Sequence, residues 1–238
     1  MFEVAKNIRP LLLELDELVE PSEPVHVDTL LDLTKKHSPY KTIKMGGTAT
    51  SSIFGAHVAI PEAAVLIIFY RPCSIHPLRH PERTCAECRW ARYIIAKELS
   101  HAFDCADELT KAEDAEDMLI KEIIKGSMDN KQAQADVFGS LWGVELLLRY
   151  LHREELTGAG ALGESPRLTF ARGANDYSYF ADQFCIPPGP VELSFRPNIM
   201  QAMKAVRLHA DLPVMRGGKR SIAQINGHST RKTSRLNE

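Results

Sequence analysis

Lys97, Glu98 and His101 stand at a spacing at which three side chains can decide a reaction. In an intact H-E-x-x-H pattern, two histidines four residues apart share one helix face and grip Zn²⁺, while the intervening glutamate activates the metal-bound water. Here the glutamate is Glu98 and the second histidine is His101, but Lys97 replaces the first histidine. An ammonium ligates zinc only after losing its proton, so this segment has the frame of a metal site without its full ligand set. Polar residues on an ordinary packed helix are the competing reading of so short a pattern.

A second group lies just upstream. Cys73-x2-His76-x3-His80-x4-Cys85-x2-Cys88 offers five soft ligands within sixteen residues. Cys-x2-Cys is a recognised half of a structural zinc site, which makes Cys73, His76, His80, Cys85 and Cys88 a candidate metal set. A polar loop whose thiols face core or solvent is the alternative. The acidic run from Asp104 to Asp117 reads as a solvated helical face, because it lacks the glycine-turned loop of a hard-cation site. Cys105 has no orienting third group that would make it a nucleophile. No phosphate loop, dinucleotide fingerprint or nucleophile elbow occurs.

Four segments resemble the ImmA/IrrE-type metallopeptidase-like family, in the same order along the chain. Pro24-Val25-His26-Val27-Asp28-Thr29-Leu30-Leu31 looks like its N-terminal helix entry, and Arg92 to His101 like its Arg-x-x-x-Ala-His-Glu-x-x-His helix. Gln134-Ala135-Asp136-Val137-Phe138-Gly139 looks like its Glu-Ala-x-x-Phe-Ala segment, whose glutamate is the third zinc ligand. Tyr179 to Pro187 looks like the start of a helix-turn-helix-like part found in some members. The resemblance covers roughly Ile8 to Phe195. It implies a zincin-like domain whose site is degenerate, since Lys97 and Gln134 stand where two of the ligands should be and only His101 remains. One imidazole cannot hold a catalytic zinc, which needs three protein ligands and a water. Glu98 is then vestigial. The Lys97 ammonium would face it where the metal stood, and Gln134 would accept a hydrogen bond. No metal is expected at this site. The implied role is regulatory or protein-binding, with a partner such as a repressor or stress regulator. The alternative is an active peptidase that recruits metal through His101 and unexpected acids such as Asp104 or Asp136.

The elements that must position these residues follow from periodicity. Val4, Ile8, Leu11, Leu12 and Leu15 recur at helical spacing, ended by Glu20-Pro21-Ser22-Glu23-Pro24, and a second helix is expected over Asp28 to Lys36. From Ile43 to Tyr70, β-branched, aromatic and small residues predict two or three short strands, with the continuously apolar Ala64 to Tyr70 as a buried one. The motif helix should run from about Arg89 to Phe103. Thr110 and Glu113 form a capping box ahead of a helix that Gly126 would stop, and another helix is expected from Lys131 to His152. After the Gly-rich Thr157 to Glu164, helices are expected over Asp176 to Phe184, Val191 to Phe195 and Ile199 to His209. These elements predict an α+β fold, mostly helical with a small, largely antiparallel sheet. The expected division is a metallopeptidase-like domain over 1–156, a C-terminal helical part over 157–210 and a basic disordered tail over 211–238.

Composition narrows the classes. The 238 residues, 44% hydrophobic and 25% charged, are those of an ordinary soluble protein. The longest apolar run, Ala63 to Tyr70, is eight residues, too short to span a bilayer. No secretory signal is visible, so the expected location is cytoplasmic and the five cysteines are expected as thiols. Arg216 to Glu238 holds six basic residues and one acid, leaving 23 basic and 30 acidic residues before it. Such a tail is a candidate nucleic-acid contact through Arg216 to Arg235, which makes a nucleic-acid-associated regulator the third reading. Any affinity it supplies must fall steeply with added salt, because Lys and Arg contacts to phosphate work through counterion release. Binding that is insensitive to salt, or that survives deletion of Arg216 to Glu238, would exclude the tail.

Overall fold

A computed structural model describes residues 2–19, 23–47, 55–76, 85–104, 141–150 and 178–214. Within them, seven α-helices and one three-stranded sheet make an α+β fold. In chain order these are α1 (Phe2–Leu18), α2 (Val27–His37), β1 (Thr42–Gly47), β2 (Gly55–Ile60), β3 (Val65–Tyr70), α3 (Ala86–Ser100), α4 (141–147), α5 (Ser178–Phe184), α6 (Pro188–Ser194) and α7 (Pro197–His209). His80, Cys105, Gln134, Asp136, the Thr110 capping box, the Gly-rich stretch and the basic tail lie outside the described residues. No helix among the described residues is long and apolar enough to cross a membrane.

The sheet has the order β1-β3-β2, with β3 in the centre. Successive strands alternate in direction, and a simple meander would have paired β1 with β2 and made every pairing antiparallel. Here β3 comes between them. It pairs antiparallel with β2 and parallel with β1, so the sheet is mixed where the sequence suggests a largely antiparallel one. The β2–β3 turn is the 3₁₀ turn Pro61–Ala63 followed by Ala64 at φ 51°, and the Ala64 carbonyl accepts the N–H groups of Lys41 (2.9 Å) and Thr42 (3.1 Å) ahead of β1.

Continuous apolarity in β3 suggests burial on both faces, but only Leu66 and Ile68 are fully covered. The helix layer covers one face, and the alternate residues Val65, Ile67 and Phe69 remain partly exposed. Antiparallel register sets Gly55, His57 and Ala59 opposite Tyr70, Ile68 and Leu66. Directly paired residues point to the same side of a sheet, so these three share the face on which Leu66 and Ile68 are buried. One bulky apolar residue is missing from that row, and a histidine stands in its place.

Helix α3 starts three residues earlier than its apolar spacing suggests. Cys85 caps it, its sulfur accepting the Cys88 N–H at 3.4 Å, and the chain closes with a 3₁₀ turn at His101–Phe103. Buried Arg92 donates to the Val25 carbonyl at 2.6 Å, which ties α3 to the entry of α2. Helix α4 leaves helical geometry at Leu148 and Arg149, Tyr150 is helical again with its N–H on the Glu145 carboxylate at 3.1 Å, and the expected bounds Lys131 and His152 lie outside the described residues. Pro188 and Pro197 sit in the first turns of α6 and α7, where a missing N–H costs nothing. One apolar core runs through the described elements, from Ile8, Leu11 and Leu15 of α1 through Ile95 and Leu99 of α3 and Trp142 of α4 to Phe180 and Val206 of the C-terminal helices.

Candidate functional site

Helix α3 carries a cluster of reactive side chains at each end. Cys88 and Glu98 are ten residues apart, about 15 Å along a helix.

At the C-terminal end, Glu98 is buried between α3 and β2. One carboxylate oxygen takes a hydrogen bond from His57 Nδ1 at 2.8 Å, and the other lies 3.6 Å from the Lys97 ammonium. His101 stacks on His57, with ring centroids 4.3 Å apart and 20° between the planes, while its Nδ1 meets Asp104 Oδ2 at 2.5 Å. Burial pushes the Glu98 carboxyl upward in pKa, but the His57 hydrogen bond and the positive charge of Lys97, with that of His101 and His57, outweigh it and hold the group below the ordinary glutamate value. Ligand atoms of His57, Glu98 and His101 lie within 4.8 Å of one another.

Two glycines let these elements come so close. A Cβ at Gly55 would overlap Ile94 Cγ2 and approach Glu98 Oε1 to 3.1 Å, so β2 can lie against α3 only with hydrogen there. On the opposite flank, a Cβ at Gly143 would stand 2.9 Å from Lys97 Cα and 3.0 Å from Lys97 N. The backbones of α4 and α3 therefore touch at Lys97.

At the N-terminal end of α3, Cys73 and His76, from the chain leaving β3, meet Cys85 and Cys88. His76 Nδ1 stands 3.7, 3.4 and 3.6 Å from the sulfurs of Cys73, Cys85 and Cys88, and the Cys73 and Cys85 sulfurs are 3.6 Å apart. No disulfide joins them. The Cys85 thiol is lowered to about 6, first by the Cys88 backbone N–H and then by the neighbouring His76 and Cys73 groups. Burial and the adjacent thiols push Cys88 the other way, up to about 12.

Of the residues singled out by sequence, Lys97, Glu98 and His101 come together, as do Cys73, His76, Cys85 and Cys88. His57 is the site residue that sequence reasoning missed. Its only local signal is its place on the helix-facing side of a short strand. Compared with known proteins, the chain matches no family model, no curated protein and no solved structure.

Proposed function

We propose that this chain is a catalytically degenerate, zincin-like protein of the metallopeptidase-like type it resembles, acting as a regulatory or protein-binding module. The observation that supports this reading is the use of the Glu98 carboxylate. In a working site it faces a metal-bound water as general base. Here one oxygen accepts from His57 and the other faces Lys97, so both are turned to internal partners. A base is most effective with a pKa near the working pH, and this carboxylate is displaced the other way. The Lys97 ammonium also repels a dication from the position of the first ligand. The partner fitting this reading is a protein such as a repressor or stress regulator.

One observation favours a second reading, an active metal-dependent peptidase with a non-standard ligand set. His57 supplies a second imidazole, and with Glu98 and His101 it offers two nitrogens and a carboxylate, a composition used by catalytic zinc. The Asp104 carboxylate on His101 Nδ1 is the kind of partner that orients a ligating imidazole. Zinc titration separates the two. The degenerate reading expects no zinc that depends on His101, and a gain of one site in Lys97→His combined with Gln134→Glu. Zinc lost from the wild-type protein by His57→Ala and by His101→Ala, together with peptide hydrolysis abolished by Glu98→Gln, would reverse the conclusion in favour of the enzyme.

A further inference from the structure

We infer that Cys73, His76, Cys85 and Cys88 form a structural zinc site, closed by four protein ligands, that fastens the N-terminus of α3 to the chain leaving β3. The geometry decides between a metal site and a hydrogen-bonded group. A ring nitrogen presents one proton or one lone pair in one direction, so it can bond to one sulfur well and not to three. His76 Nδ1 nevertheless stands at nearly equal distances of 3.7, 3.4 and 3.6 Å from three sulfurs. Four vertices around a shared centre produce that pattern. With Zn–S near 2.3 Å and Zn–N near 2.0–2.1 Å at tetrahedral angles, neighbouring sulfurs stand about 3.8 Å apart and sulfur and nitrogen about 3.6 Å apart. The Cys73–Cys85 separation is 3.6 Å, close to the first value and far outside a bond between the sulfurs.

The backbone around the cluster is arranged to favour thiolates. The Cys73 sulfur faces the N–H groups of Ile75 at 3.5 Å and His76 at 3.3 Å, and the Cys85 sulfur faces that of Cys88 at 3.4 Å. Each x2 pair thus turns its second ligand's N–H toward its first ligand's sulfur, a second shell that steadies the anion. The Glu87 carboxylate takes the Ser74 N–H and hydroxyl, both at 2.7 Å, and latches the two pairs together independently of any ion. Three thiolates and an imidazole are a soft set suited to zinc, and four protein ligands leave no position for water, which makes the site structural. On binding, all three sulfurs are held as thiolates, any proton still on them passing to solvent, and the imidazole coordinates through Nδ1 as the neutral ring.

Elemental analysis and cobalt substitution of the full chain test this directly. One zinc per chain is expected to survive desalting, and removing it should lower the melting temperature reversibly, because a metal bound only by the native fold stabilises that fold. Cobalt(II) in its place should give thiolate charge transfer and the intense visible bands of a tetrahedral ion. Cys85→Ser should lose the metal, whereas His57→Ala and His101→Ala should keep it, which separates this site from the one at the other end of α3. Should Cys85→Ser fail to fold, Cys73→His decides, since it retains four ligands and should hold cobalt with charge transfer reduced to roughly two thirds. A metal-free protein, a Cys73–Cys85 disulfide, a six-coordinate cobalt spectrum, iron or copper in place of zinc, or a metal that persists in Cys85→Ser and leaves with His101→Ala would each overturn the assignment.

Discussion

Arg207→Met is expected to lower the unfolding free energy by about 3–5 kcal/mol, the range found when one partner is removed from a buried ion pair. Arg207 is fully buried in α7. Its guanidinium donates to the Glu145 carboxylate of α4, to Asp16 Oδ2 of α1 at 3.4 Å and to the Pro213 carbonyl at 2.9 Å. Arg149 completes the group, reaching Asp16 Oδ1 and the Leu15 carbonyl. Two cations and two carboxylates balance where the helices meet, with Arg207 and Glu145 fully buried and Asp16 partly so. Burial pushes the Asp16 carboxyl upward even with Arg207 and Arg149 beside it, so it has no compensation to spare. Methionine keeps much of the stem volume and removes the charge, so the buried Glu145 carboxylate loses its Arg207 guanidinium. Urea unfolding should register the loss, and the melting temperature should fall on the order of 10 °C. Adding Glu145→Met should recover most of it, since an apolar pair of similar volume often replaces a buried ion pair without penalty. A single variant within about 0.5 kcal/mol of wild type, the range of ordinary surface substitutions, would show that this cluster does not join the three helices as described.

How much of this was legible in the sequence depended on how local the cause was. The bounds of α1, α2 and α7 followed from apolar spacing and from prolines at the breaks, because a helix face is written within one turn or two. The motif helix was legible in the same way, down to Lys97 beside Glu98. Its earlier start was not, because the cap is a cysteine sulfur rather than one of the usual oxygens. The Cys73 to Cys88 group showed its two x2 pairs in sequence, but their meeting depends on where β3 delivers the chain relative to α3. His57 was illegible for a stronger reason. Its approach to Glu98, 41 residues away, is set by strand register, and a slip of one residue would turn it to the other face. The Asp16, Glu145, Arg149 and Arg207 group spans 191 residues of sequence, and each member alone reads as a surface charge.

Gly143→Ala is expected to destabilise the protein even though alanine is the better helix former. Two effects oppose each other. Replacing an interior helical glycine gains about 0.8–1.0 kcal/mol of intrinsic propensity, whereas forcing an added methyl into a packed contact costs about 1–3 kcal/mol. What the methyl meets decides the sign. At Gly143 it meets the Lys97 backbone, at 2.9 Å from Cα and 3.0 Å from N, and a helix backbone held by its own hydrogen bonds cannot rotate aside as a side-chain tip can. Helix α4 must therefore move off α3, and Gly143→Val should move it further, with a loss of about 2 kcal/mol or more. Gly189→Ala supplies the control, because nothing lies within 4 Å of the added carbon and the backbone is not left-handed there. That change should be neutral or stabilising by about 0.4–1 kcal/mol, through the smaller entropy of the unfolded chain. Denaturant midpoints of the three variants test the argument together. Stabilisation by Gly143→Ala equal to that by Gly189→Ala would mean that α4 does not rest on the backbone of α3 at Lys97. Lys97 would then have lost the helix that confines it beside Glu98.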